Sequence, residues 1–150
     1  MDYKLYAGVC LIDGNKILLT QQSSEADQSG KWGLPAGHIE DDETPQQGAI
    51  REAKEEIGVD IVLTGLVQVV ILRRPKKEDA LVVIYKGSLK SNQKPEVDGK
   101  EVSSYAWVAK DDIEKNRVEW RHPFFKRFVL KSFGRKINML DGMEIIHSKI

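Results

Sequence analysis

Only one cysteine, Cys10, occurs in the chain, so no intrachain disulfide can form. Its apolar surroundings fit a reducing compartment, for which the cytosol is the default expectation. An excess of either charge is also missing, since 23 basic side chains balance 23 acidic ones. That balance argues against the broad phosphate attraction of a protein that grips duplexes, and polymeric nucleic acid is not an expected partner. Long hydrophobic runs are lacking too. The longest, Ile61 to Leu72, is broken by Thr64 and Gln68 and falls short of the roughly 20 residues that span a bilayer, so no membrane is expected either. Met1 to Asp13 has neither a basic n-region nor a small-residue cleavage site, and no signal peptide is read there. No repeat, low-complexity tract or linker divides the chain. Residues 1–150 are read as one domain, long enough to bury about two-thirds of the surface exposed by the unfolded chain.

What is present alternates between strand and helix signals. Leu5 to Ile12 and Ile17-Leu18-Leu19 read as two strands joined at Asp13-Gly14-Asn15, residues that supply positive φ in a tight turn. Ser23 to Lys31 is a polar loop, and Trp32-Gly33-Leu34-Pro35-Ala36-Gly37 reads as a stiffened, irregular path. Val59 to Leu72 holds two short strands or one bent at Gly65, with a charged hairpin tip at Arg73 to Asp79 and a returning strand at Ala80 to Leu89. Ser91 to Lys100 is a connection and Val102 to Val108 another strand. Asp111-Asp112 can cap a short helical turn. His122-Pro123 starts a longer helix, with Phe124, Phe125, Phe128 and Val129 on its buried face. The tail, 134–150, gives no clear pattern.

The best-marked element starts at Thr44-Pro45-Gln46-Gln47: Thr44 can cap, Pro45 suits the first turn, and Gln47 can bond back to Thr44. Gly58 supplies the stop. At about 100° per residue, Ala49, Ile50, Ala53 and Ile57 share an arc expected to face the core. Glu52, Glu55 and Glu56 share the adjacent arc. Three acids near a helix C-terminus repel one another and oppose the dipole, at about 0.2–0.5 kcal/mol per pair and roughly 0.3–1 kcal/mol per acid. Arg51 can pair with Glu55 but cannot neutralise all three. A divalent cation can, and an all-oxygen ligand set favours Mg2+, or Mn2+, with substrate phosphates completing its shell. A solvated acidic face is the competing reading. Asp41, Asp42 and Glu43 have their own simple explanation, acids ahead of the positive end of a helix.

Gly37, five residues, Glu43, seven residues, then Arg51-Glu52-Ala53-Lys54-Glu55-Glu56-Ile57-Gly58-Val59 resembles the Nudix box at nine positions over 23 residues. The preceding Trp-Gly-Leu-Pro-Ala resembles the family's approach to that box, and the likeness extends over roughly Tyr6 to Ile113. It implies an α/β fold, the family's α/β/α sandwich around a mixed sheet. It also implies hydrolysis of a nucleoside diphosphate linked to another group. Carried over residue by residue, Glu52, Glu55 and Glu56 are metal ligands, Glu52 or a nearby acid is the base for water, and Arg51 orients a glutamate. Ala36 sits where the family gives a backbone carbonyl to the metal. Glu101 resembles a downstream ligand or base, with Glu96 and Asp98 as neighbouring acids.

Substrate contacts are less legible. Glu43 is the box's first acid, with either a substrate-side or a helix-capping role. Trp120, Phe124 and Phe125 can stack on a base or belong to the core; Tyr85 and Trp107 read as structural. Gln21 and Gln22 stand where many relatives carry an arginine. Pro75 lies sixteen residues beyond Val59, where ADP-ribose hydrolases resemble one another in having proline, yet it also suits a hairpin tip. His38 and His122 can reach phosphate, though one adjoins a glycine turn and the other a helix start. The expected partner is a small nucleotide, handled by a monomer or homodimer. A nucleotide-binding regulatory module of the same fold is the rival reading, and an interaction protein with a merely solvated acidic helix a more distant one.

Overall fold

A computed structural model of the chain describes residues 2–23, 30–134 and 143–148. Its first strand, β1 (Tyr3–Asp13), turns through Gly14, whose φ of 61° only glycine adopts freely, into β2 (Lys16–Gln22). The two strands pair only beside that turn, at Ile12 with Ile17 and Asp13 with Lys16. They then splay. Farther down the same edge, β1 pairs antiparallel with β4 (Ala36–His38), while β2 takes β3 (Trp32–Gly33) and β7 (Val102–Ala109) as neighbours. The stretch from Trp32 to Gly37, expected to be irregular, therefore contributes two short strands, each stabilised by a distant partner.

The other edge of β1 runs parallel to β6 (Asp79–Leu89), which is antiparallel to β5 (Ile61–Arg73). β5 is one strand, with register shifts between Leu63 and Gly65 and between Leu66 and Gln68, so the bend expected at Gly65 is a bulge within it. In the tail, β8 (Met143–His147) adds a parallel strand to β5; the remainder of 134–150, like Ser24 to Asp27 and the rest of that polar loop up to residue 29, lies outside the described residues apart from Gly134 and Ser148. Together these pairings make a mixed eight-stranded sheet.

Helices cover both faces. Alternation along β1 sends Ala7, Val9 and Leu11 to one side, where they meet Ala49, Ala53 and Ile57 of α1 (Pro45–Ile57). Cys10 points to the other side, among Ile17, Leu19, Val70 and Ile84, under Phe125, Phe128 and Val129 of α3 (Phe125–Ser132). Fully burying a side chain such as Ile57 or Phe128 contributes about 1.5–3 kcal/mol, which is what holds each helix to the sheet. This is the α/β/α sandwich around a mixed sheet. Ile50, expected in the core arc, is 40% exposed, because the sheet contacts a stripe centred on the two alanines and not the whole arc.

Two further helix expectations shift. α3 begins at Phe125 and not at Pro123, since residues 122–125 form a preceding turn in which Phe125 N–H donates to His122 O at 3.0 Å. The short α2 (Lys110–Glu114) has Ala109 at its N-cap, with Asp111 and Asp112 inside its first turn. Among the described residues no helix is long and apolar enough to cross a membrane.

Candidate metal and catalytic centre

The N-terminus of α1 carries a full capping box: Thr44 Oγ1 accepts from Gln47 N–H at 3.1 Å, and Gln47 Oε1 accepts from Thr44 N–H at 2.9 Å. At the other end Gly58, at φ 68°, closes the helix by donating to Lys54 O. The last carbonyls then find an unusual pair of partners. Glu96 N–H donates to Ile57 O at 2.9 Å, and Asp98 N–H donates to Glu56 O at 3.0 Å. The connection after β6 is thus hooked onto the C-terminus of α1. Asp98 turns the chain back by accepting from Lys100 N–H and Val102 N–H, and Ser23 N–H donates to Glu101 O. These bonds carry Glu101 to the acidic face of α1.

The outcome is a cluster in which one carboxylate oxygen each from Glu52, Glu56 and Glu101 lies within 4.8 Å of the others. Glu52 and Glu56 are only 6% and 4% exposed, whereas Glu101 is open to solvent. Glu56 accepts a long bond from Ala36 N–H at 3.4 Å, so the backbone at Ala36 sits against the cluster. Gly37 is required there. A Cβ on it would stand 2.2 Å from the Glu52 carboxyl, and any other residue would displace that side chain.

Arg51 organises the acids around it. Its Nε and Nη2 grip Glu43 in a two-pronged pair at 2.7 and 2.9 Å, Nη1 donates to Glu52 at 3.0 Å and Glu55 at 3.2 Å, and Nη2 also donates to His38 O at 2.8 Å. Glu43 is therefore held against Arg51, and the helix cap is Thr44. The guanidinium keeps the Glu43 carboxyl down at about 2. Glu56 goes the other way, pushed up to about 9 by burial and by Glu52 beside it, and Glu52 is raised chiefly by burial. Glu55, grouped with the ligands on helical spacing, is 58% exposed and reaches Arg51 without joining the cluster.

Two buried carboxylates that both resist ionisation, joined by a third at the solvent edge, are suited to a hard divalent cation, which supplies the charge that one arginine cannot. No histidine or cysteine is among the clustered groups. The donor set therefore fits Mg2+ or Mn2+ better than zinc.

The other candidates are spread out. Trp120 packs, partly buried, against the core under α3 and makes a bridge to Trp32; Tyr85 and Trp107 belong to the core under α1. Phe124 packs on His122, Phe125 and Phe128 with ring centroids 5.0–6.0 Å apart. It also lines a shallow hollow with Pro123, Lys126, Arg127 and Leu130, which shares no residue with the acid cluster. Gln21 is tied to Gly30 O and Ser104, and Pro75 is exposed in the 74–78 tip. His38 is exposed and lies 4.3 Å from the Tyr6 ring.

One residue escaped sequence reading altogether. Arg121 is drawn inside by its own backbone, whose N–H donates to Trp32 O at 2.8 Å, and its guanidinium lies over Gly33, where a Cβ would come within 3.1 Å of Nη2. Burial lowers its pKa and Glu56 opposes that shift. The available signal was a charge set between Trp120 and His122-Pro123, in a segment otherwise aromatic and apolar.

Comparison with known proteins bears on this geometry. The family model for the NUDIX domain matches residues 2–128. An 8-oxo-dGTP diphosphatase of Proteus vulgaris is 38% identical over 64 residues, covering 43% of this chain and 57% of that protein. A CTP pyrophosphohydrolase of Escherichia coli is 39% identical over 57 residues, covering 38% of this chain and 42% of its own length. This chain thus spans about half the length of those curated relatives. Among solved structures, a NUDIX hydrolase from Nitrosomonas europaea superposes with a TM-score of 0.74 at 20% identity, covering 87% of this chain and 88% of that one. An ADP-ribose pyrophosphatase from Streptococcus suis gives a TM-score of 0.66 at 21% identity, covering 98% and 100%.

Proposed function

The chain belongs to the Nudix family, and from that premise we propose that it is a divalent-metal-dependent pyrophosphohydrolase acting on a small nucleotide derivative. The observation that carries this reading is the buried pair Glu52 and Glu56 with Glu101 closing over it, all within 4.8 Å. Those three side chains, with the Ala36 backbone alongside, would hold the cation, Mg2+ by preference and Mn2+ as an alternative. When bound it neutralises phosphate charge and lowers the pKa of water. The relatives named as a diphosphatase and a pyrophosphohydrolase support a pyrophosphate bond as the point of cleavage.

Glu52 is assigned as the base. Arg51 Nη1 fixes one of its oxygens, Gly37 leaves room for the carboxyl, and it is itself one of the three clustered acids. In the reaction a water oxygen bonds to phosphorus in line with the departing bridge oxygen, the phosphorus–bridge bond breaks, and the water's proton passes to Glu52. Two phosphate-bearing fragments result. Arg51 keeps Glu52 aimed and prevents Glu43 and Glu55 from competing for the cation. Trp120 and Phe124 are not assigned to the reacting centre.

The test is a panel of nucleoside triphosphates, ADP-ribose, dinucleoside polyphosphates and nucleotide sugars, incubated with Mg2+ and with chelator. Turnover of at least one compound in Mg2+ only is expected. Turnover of none would favour a binding module that recognises a nucleotide without cleaving it.

A further inference from the structure

Glu96, Asp98 and Glu101 are the acids on the connection between β6 and β7, and of these the cluster takes Glu101 alone. Glu101 is open to solvent, so its side chain is not held against the buried pair by packing around it. Its place is set through its backbone. A ligand on a loose chain has to be ordered each time a cation binds, whereas one on a fixed backbone has most of that ordering done in advance.

The connection is fastened along the exit of α1. The Gln93 amide takes both sides of Asp60, with Oε1 accepting from Asp60 N–H at 2.8 Å and Nε2 donating to Asp60 O at 2.9 Å. Pro95 is buried, and the bonds of Glu96 and Asp98 to Ile57 O and Glu56 O follow. Asp98 is thereby joined to the main chain of a residue whose side chain belongs to the cluster. Its carboxylate then gathers the amides around Glu101. Oδ1 accepts from Lys100 N–H at 3.1 Å and Val102 N–H at 3.0 Å, and Oδ2 accepts a longer bond from Glu101 N–H at 3.5 Å. Ser23 holds the far side, its N–H donating to Glu101 O at 3.1 Å and its Oγ to Lys100 O.

We propose that Asp98 is a positioning residue of the metal centre, which binds no cation itself and acts only through Glu101. This rests on the metal centre proposed above. Asp98 is outside the clustered acids, and its oxygens already face three backbone amides. What the turn uses is an acceptor oxygen, and a carboxamide carries one in the same place as Oδ1. The charge at position 98 is then dispensable and the oxygen is not. Asp98 is also on the surface, so truncating it leaves no hole in the core.

The test is Mn2+ affinity, read by electron paramagnetic resonance, for wild type, Asp98→Ala, Asp98→Asn, Glu101→Gln and the double variant Asp98→Ala with Glu101→Gln. Asp98→Ala should weaken binding by the same factor as Glu101→Gln, up to about tenfold. Asp98→Asn should stay near wild type. In the double variant the loss of Asp98 should add nothing, since the residue it acts through is already disabled. Hydrogen exchange of the Val102 amide in chelator supplies a metal-free readout: it should speed up by about tenfold or more in Asp98→Ala and remain slow in Asp98→Asn. Asp98→Asn as weak as Asp98→Ala would assign the effect to charge and overturn the proposal. So would a double variant whose loss is the product of the two single losses, or a Val102 amide equally protected in Asp98→Ala. Wild type without saturable Mn2+ binding would sink the metal centre itself, whereas saturable binding that Asp98→Ala leaves unchanged would sink only the role of Asp98.

Discussion

Replacing Glu56 by Gln removes a charge that the fold disfavours while keeping shape and hydrogen-bonding capacity. The side chain is 4% exposed, and its carboxyl is raised from an ordinary 4.5 to about 9 by burial and by Glu52. Between those two values the folded protein holds a proton that the unfolded chain has released. Stability is therefore fully present below 4.5 and is lost as pH rises towards 9. A whole proton corresponds to about 1.4 kcal/mol per pH unit, so a slope on the order of 1 kcal/mol per unit is expected for the metal-free wild type. His122, held down at about 4 but ordinary at 6.5 in the unfolded chain, adds a small opposite slope near pH 7, and Cys10, pushed up to about 12, adds one of the same sign near pH 9, so the difference between wild type and variant isolates the Glu52–Glu56 pair. Urea unfolding in chelator at pH 7, 8 and 9 measures the slope. Glu56→Gln should flatten most of it and be more stable than wild type at pH 9. Mg2+ should stabilise wild type by binding only the folded state, and should do little for the variant. A wild type whose stability does not change from pH 7 to 9, or a variant less stable at every pH, would refute the reasoning.

Other expectations follow from the same contacts. Gly37→Ala puts a methyl 2.2 Å from the Glu52 carboxyl and should abolish Mg2+-dependent turnover while circular dichroism stays native. Arg51→Ala strips the partner from Glu43 and Glu52, whose side chains are 13% and 8% exposed, and should cost about 2–3 kcal/mol in denaturant unfolding as well as activity. Glu55→Gln touches an exposed pair, so its stability cost should stay below about 0.5 kcal/mol, with Mn2+ affinity near wild type. Cys10 is buried, with its thiol pushed up to about 12, and should resist iodoacetamide at pH 8 until the protein is unfolded.

Local signals made much of the fold legible. The capping box, the glycine stop and the alanine stripe of α1 are all short-range features, and the turn at Gly14 needs only its neighbours. Long-range pairings were not legible. Nothing in β1 announces that it leaves β2 after two residue pairs to join β4, nor that β8 in an unpatterned tail lies along β5. Ile50 went astray because a helix arc of about 100° says how wide an apolar face is, not how much of it a sheet covers.

The candidate site divides similarly. Helical spacing grouped Glu52, Glu55 and Glu56, but it cannot say which side chain Arg51 claims. Glu101 looked like one of several loop acids until the hydrogen bonds of Glu96 and Asp98 to the end of α1 fixed its place. Arg121 gave no periodic signal, because its burial depends on a contact with Trp32 almost ninety residues earlier in the chain.

Electron paramagnetic resonance of Mn2+ titrated into wild type and into Glu52→Gln, Glu56→Gln and Glu101→Gln addresses the metal centre without relying on any substrate. Saturable binding by wild type is expected, weakened by roughly tenfold or more in the two buried variants and by less in Glu101→Gln, the exposed ligand. Mn2+ affinity that is the same in all four proteins would contradict the assignment.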